Sequence, residues 1–169
     1  IYQEKLSCEI DSIYIGGGTP SYIDGKYIKE LRKALDGFKI DNIKEFTIEC
    51  NPNSISKDEL LLYKDLGINR ISLGVQSFDD KVLKAIGRNH TADIALKDIE
   101  LIRSVGFDNL SFDLMLNLPH QDYKSVKNDL EIVKRISPEH ISWYSLILEE
   151  GSRFYALDKK GKLDLMDDD

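Results

Sequence analysis

The chain has 169 residues, 41% of them hydrophobic, and a formal net charge of −7. One full hydrophobic core fits that length, so a single domain is the default. The negative balance leaves no basic stripe to offset phosphates, which argues against a nucleic-acid partner, and no apolar run approaches the roughly 20 residues of a membrane span. Cys8 and Cys50 are the whole cysteine complement. They exclude a disulfide framework and any three- or four-cysteine metal site made by this chain alone, and each reads as a packing residue of a reduced, cytoplasmic protein. Ile1 is not an initiator methionine and no signal peptide is visible, so the chain reads as a piece of something longer.

The first strand signal, Ile13-Tyr-Ile15, runs into Gly16-Gly-Gly-Thr-Pro20. Consecutive glycines let a backbone approach a ligand closely with its amides facing it. A tight strand–helix turn closed by Pro20 is the other reading. Neither the dinucleotide fingerprint nor the Gly-Lys-Ser/Thr phosphate loop is present. A helix follows from Lys26 to Leu35, with Ile28, Leu31 and Leu35 on one face and Gly37 as its stop.

The second strand starts at Phe46 and ends in Glu49-Cys-Asn-Pro52. A carboxylate at Glu49 suits ribose hydroxyls or a cationic ligand group, or it is a structural acid tied to a lysine. Ser56 and Glu59 have capping-box spacing and open a helix in which Leu62 and Leu66 lie one turn apart, with Gly67 ending it. The third strand, from Ile71, ends in Gly74-Val-Gln-Ser-Phe78. Gln76 offers donor and acceptor together, for a sugar or amino-acid moiety or for capping the next helix.

A short helix from Asp80 to Ile86 closes at Gly87, and Arg88 follows, either free in solvent or positioned to grip a carboxylate bidentately. The helix from Thr91 to Ser104 carries Ile94, Ala95, Ile99 and Ile102. The fourth strand starts at Leu110 and holds Asp113 within an apolar stretch. A buried carboxylate is costly without a partner, so Asp113 is paired or functional. His120, beyond Pro119, reads as a loop histidine. The last helix starts near Asp122, carries Val126, Leu130 and Val133, and ends before Pro138. A fifth strand, Ile141 to Ile147, runs into Glu149 and Glu150, and Tyr14, Trp143 and Tyr144 read as core or pocket wall.

Strands alternating with helices imply parallel pairing through right-handed crossovers, with the strands apolar on both faces. In repeated β/α proteins ligands sit at the carboxyl ends of the strands. The amide-rich loop, Glu49, Gln76 and Asp113 would then all face one small molecule. Periodicity alone leaves an open doubly wound sheet and a barrel as alternatives.

Taken together and in this order, Gly-Gly-Gly-Thr-Pro, Glu-Cys-Asn-Pro, Gly-Val-Gln-Ser-Phe, Gly-Arg-Asn-His, Phe-Asp-Leu-Met-Leu-Asn-Leu-Pro and Ser-Trp-Tyr-Ser-Leu resemble the radical S-adenosylmethionine family. Within it they are most similar to the oxygen-independent coproporphyrinogen III oxidase group and its HemW-type heme chaperone branch. The resemblance covers nearly the whole chain, 1–169, as the central part of the core domain. It implies an α/β fold, a partial (β/α)6 TIM-like barrel of parallel strands whose first strand and accessory domain are missing. It also implies S-adenosylmethionine at the open mouth, with Gly17, Gly18 and Thr19 at its methionine end. Glu49, Gln76, Arg88 and Asp113 would hold its ribose and carboxylate or line the adjoining substrate pocket, and Ile147 would lie against the adenine, mainly through its backbone. The implied partners are heme or coproporphyrinogen III and an electron donor. The family's [4Fe–4S] cluster needs Cys-x-x-x-Cys-x-x-Cys, which this sequence lacks. The cluster would belong to the parent oxidoreductase or chaperone, and this segment alone would be inactive.

Overall fold

The structure is a computed structural model that describes residues 9–38, 40 and 42–166. Among the described residues there are five strands: β1 (Ser12–Ile15), β2 (Glu45–Cys50), β3 (Arg70–Gln76), β4 (Asn109–Leu116) and β5 (His140–Ser145). Six α-helices accompany them: α1 (Gly25–Leu35), α2 (Lys57–Asp65), α3 (Asp80–Ala85), α4 (Ala92–Ser104), α5 (Tyr123–Ile136) and α6 (Arg153–Asp158). Every neighbouring strand pair is parallel, and the spatial order is the sequence order, β1-β2-β3-β4-β5.

That order decides between the two architectures left open above. A doubly wound sheet reverses direction at a switch point, which sends helices to both faces. Here each crossover steps the same way, and crossovers of one hand then place all helices on one side. The sheet curls into a half-barrel with an open concave face.

Side-chain parity follows from the curl. Ile13, Ile15, Phe46, Ile48, Cys50, Ile71, Leu73, Val75, Leu110, Phe112 and Leu114 join the core with Ile28 of α1, Leu60 and Tyr63 of α2, Ala95, Ile99 and Ile102 of α4, and Val133 of α5. The residues between them, Thr47, Glu49, Ser72, Gly74, Ser111, Asp113, Ser142 and Tyr144, have the opposite parity and face inward. The strands are therefore not apolar on both faces, as expected, but alternate. The helix layer takes one face, and the other lines a polar interior.

Local chemistry explains the helix ends. Asp24, Asp79 and Thr91 cap α1, α3 and α4 through side-chain oxygens. Ser56 accepts from the Glu59 N–H at 3.3 Å and donates to that residue's carboxylate, a variant of the expected box. The reciprocal box stands at Asp122 and Ser125 instead. The buried pair of α2 is Leu60 and Tyr63 rather than Leu62 and Leu66. Helix α6, opened by Ser152, has too short an apolar pattern to be read from sequence. Cys8 lies outside the described residues.

Candidate functional site

β1 ends in a loop whose geometry requires glycine. Gly17 and Gly18 have φ of +90° and +65°, where a Cβ would be strained. The Gly17 N–H donates to Glu49 Oε2 at 3.0 Å, and the Tyr14 hydroxyl donates to Glu49 Oε1 at 2.8 Å. Asn51, just past β2, donates from Nδ2 to Thr19 Oγ1 at 2.7 Å. The loop after β1 is thus sewn to the end of β2 by two side chains.

β3 ends in a second strained position. Gln76 is a non-glycine residue at φ +69°. The β3–β4 register shifts between Leu73 and Gln76, and this irregularity frees the carbonyls of Gly74 and Val75 from the ladder. Arg88 Nη2 donates to the Gly74 carbonyl at 3.0 Å, and His90 Nε2 lies 3.2 Å from that of Val75. The Gly-Arg-Asn-His segment therefore anchors the end of β3 as well as placing a guanidinium. Tyr144 of β5 donates its hydroxyl to Gln76 Oε1 at 3.2 Å.

These groups meet. Gly18, Thr19, Glu49, Gln76, Arg88 and Asp113 line one cavity of about 280 Å3, together with Cys50, Asn51, Gly74 and Tyr144. Gly17 contributes its amide to Glu49 from behind the lining. Ile147 stands apart, 79% exposed on the segment after β5. His120 pairs with Asp164 at 2.9 Å, away from the cavity.

The electrostatics fit a small polar ligand. Burial, followed by the charge of Glu49, raises the Asp113 carboxyl above its ordinary value, against hydrogen bonding from Ser142 and the charges of Arg70 and His140. Burial lowers the Arg88 guanidinium, while Tyr144, Tyr22 and Asp113 oppose it. Burial and the bond to Glu49 raise the Tyr14 phenol. Two half-buried carboxylates, a guanidinium, a carboxamide and backbone amides offer donors and acceptors for hydroxyl, amino and carboxylate groups.

A larger cavity, about 950 Å3, opens at the opposite end of the sheet beside Glu45, Arg70, Asn109 and His140. Three of its charged groups are already paired: Arg70 bonds Glu45 at 3.0 Å, and Glu139 is held by Arg103, from outside the lining, at 2.8 Å. The smaller cavity at the carboxyl ends is the candidate site because its polar groups converge on open space.

Asn51 and Gly74 are site residues that the sequence did not single out as such. Tyr14 and Tyr144, read from sequence as core or pocket wall, stand at the site, Tyr144 in the lining and Tyr14 against Glu49, and strand parity decides between those two readings. Asn51 and Gly74 carry no local signal beyond their motifs.

A cluster does not fit the residues present. The sequence has two cysteines, and burial pushes the Cys50 thiol up to about 12, far from the thiolate an iron ligand requires. Among the described residues no group of three His, Cys, Asp or Glu side chains is arranged to hold a metal. No described helix is long and apolar enough to cross a membrane.

Residues 3–133 match the model of the Radical SAM superfamily. The heme chaperone HemW of Bacillus subtilis is 37% identical over 159 residues, covering 93% of this chain and 42% of that protein. HemW of Escherichia coli is also 37% identical, over 86% of this chain and 39% of its own length. Among solved structures, coproporphyrinogen III oxidase HemN from Escherichia coli, a radical SAM enzyme, superimposes with a TM-score of 0.81 at 27% identity, over 95% of this chain and 37% of that one. The chain spans less than half the length of these relatives. The five parallel strands in sequence order and a family match across most of the sequence lead to one assignment: this chain belongs to the radical SAM superfamily.

Proposed function

We propose that this chain is the central part of the core domain of a HemW-like protein and holds S-adenosylmethionine at the carboxyl ends of its strands. The observation that carries this reading is the meeting of Glu49, Gln76, Arg88 and Asp113 in one cavity beside the glycine loop. Gly18 and Thr19 meet the methionine end of the cofactor, with Gly17 fixing Glu49 behind them. Glu49 and Asp113 accept from ribose hydroxyls or the amino group, and Arg88 faces the carboxylate. Ile147 reaches the adenine through its backbone.

When bound in such a family, the cofactor supplies the chemistry, and the protein supplies position and electrostatics. The cluster that would activate it takes its cysteines from a part of the parent protein other than this chain. Heme handling is the proposed role, supported by relatives that are heme chaperones. An electron donor would be a further partner of the parent. A decarboxylating coproporphyrinogen III oxidase is the second reading, supported by the close superposition on HemN.

Calorimetric titration of this chain with S-adenosylmethionine tests the cavity. Weak binding is expected, weakened about tenfold further by Glu49→Gln, which removes one of two acceptor oxygens. Unchanged affinity in that variant would overturn the assignment. For the parent, stoichiometric heme binding without carbon dioxide release is expected, and protoporphyrinogen formation would move the role to the oxidase.

A further inference from the structure

We propose that His90 is a positioning residue of the cavity: its ring holds the backbone turn that aims Gln76, and the segment that carries Arg88, into the open space. The imidazole is 4% exposed, and its Nε2 stands 3.2 Å from the Val75 carbonyl oxygen. A carbonyl only accepts, so the proton sits on Nε2 and Nδ1 is left as a bare acceptor. Among the described residues that buried Nδ1 has no hydrogen-bond partner.

The unpaired nitrogen bears on the role. A buried acceptor without a partner destabilises a core, and an apolar ring would fill the same space without that loss. What histidine contributes here, and phenylalanine could not, is the Nε2–H bond to the backbone. Burial holds the imidazole below its ordinary pKa. The Val75 bond and the Asp80 charge oppose this, and the Arg88 charge adds to it. The neutral ring with one proton, on Nε2, is the form that fits.

The position of the bond gives it its reach. Successive carbonyls of a regular strand point to opposite sides, where the neighbouring strands take them up. The register shift between Leu73 and Gln76 interrupts that pattern. Two donors two residues apart, Arg88 and His90, then take the consecutive carbonyls of Gly74 and Val75. Val75 directly precedes Gln76, a buried residue held at φ +69°. A non-glycine side chain persists in that region only where its surroundings over-determine it. Arg88 itself lines the cavity, whereas His90 does not, so His90 acts only as an anchor. Arg88 Nη2 and Gln76 Nε2 end side by side, 3.1 and 3.2 Å from the point that a Cβ on Gly74 would occupy.

Measurements on the whole chain test this. Nitrogen NMR of the His90 ring at neutral pH should show a protonated Nε2 and a bare Nδ1. His90→Phe keeps a ring without the donor, with His90→Leu in its place if that variant fails to fold, and His90→Gln returns an N–H to the same carbonyl. Without the donor, the side-chain amide signal of Gln76 and the Nε–H signal of Arg88 should shift, and S-adenosylmethionine affinity should fall about tenfold. His90→Gln should recover affinity to within about threefold of the parent chain. A histidine that only fills space would leave both signals in place and give the Phe and Gln variants equal affinity, which overturns the proposal. So does a ring protonated on Nδ1. The affinity measurement rests on the proposed cofactor site, and the spectra do not. Shifted Gln76 and Arg88 signals in a chain that binds no S-adenosylmethionine would sink the cofactor reading and leave the role of His90 standing.

Discussion

Asp129, on α5, accepts the backbone N–H of Phe78 through Oδ1 at 2.7 Å, and its Oδ2 accepts the Ser77 hydroxyl at 2.8 Å. The residue is 2% exposed and ties a helix to the turn that immediately follows Gln76. Burial raises its carboxyl, while the Phe78 amide and the Ser77 hydroxyl favour the charged form. Asp129→Asn keeps the shape but offers only one acceptor to two donors. A loss of about 1–3 kcal/mol in urea unfolding is expected, with faster hydrogen exchange at Phe78. A variant as stable as the parent chain would show that the turn is held by packing alone.

Asp113 gives the site a pH dependence of definite sign. Its folded carboxyl sits above the ordinary 3.8, chiefly through burial. Above that value the native state keeps a proton that the unfolded chain has lost, so stability falls with rising pH. The contribution is full below 3.8 and is lost as pH climbs through the folded value. Asp113→Asn lacks this slope and should gain on the parent chain as pH rises from the acid range to neutrality. Urea midpoints across that range measure it, and a difference that stays flat or shrinks would contradict the burial argument. The same variant should bind S-adenosylmethionine more weakly, the usual opposition of stability and function at a site.

Gly74 is needed for space, not for backbone freedom. A Cβ there would lie 2.7 Å from Asn51 Oδ1, 3.1 Å from Arg88 Nη2 and 3.2 Å from Gln76 Nε2. All three are site side chains, and each would have to move. Gly74→Ala should cost about 1–3 kcal/mol of stability and lower cofactor affinity about tenfold. Titration of the purified variant checks this, and affinity within a factor of about two of the parent would show that the side chains shift freely.

Ser137 ends α5 in the left-handed region, at φ 53° and ψ 63°, and is exposed. A Cβ is disfavoured there and contributes nothing to packing. Ser137→Gly should stabilise the chain by about 0.5–1 kcal/mol without touching the site. Chemical unfolding is the measurement, and a loss of stability would mean that the extra freedom of glycine in the unfolded chain outweighs relief at the cap.

Much of the molecule could be read along the chain. Short apolar runs ending in turn residues announce β1 to β5, and apolar residues at helical spacing with their caps announce the longer helices, because both are local consequences of backbone geometry. Glycine, asparagine and glutamine at strand ends mark where the chain must turn, and those turns carry six of the eight expected cavity residues onto one lining. Local periodicity cannot state which strand lies beside which, and so it left barrel and doubly wound sheet unresolved. That choice came from four crossing steps taken in one direction, visible only when β1 to β5 pair in order. The same long-range pairing joins Tyr144 to Gln76, Asn51 to Thr19 and Asp129 to Phe78 across gaps of 68, 32 and 51 residues. Such contacts depend on register and curl, which are properties of the assembled sheet, so no window of sequence contains them.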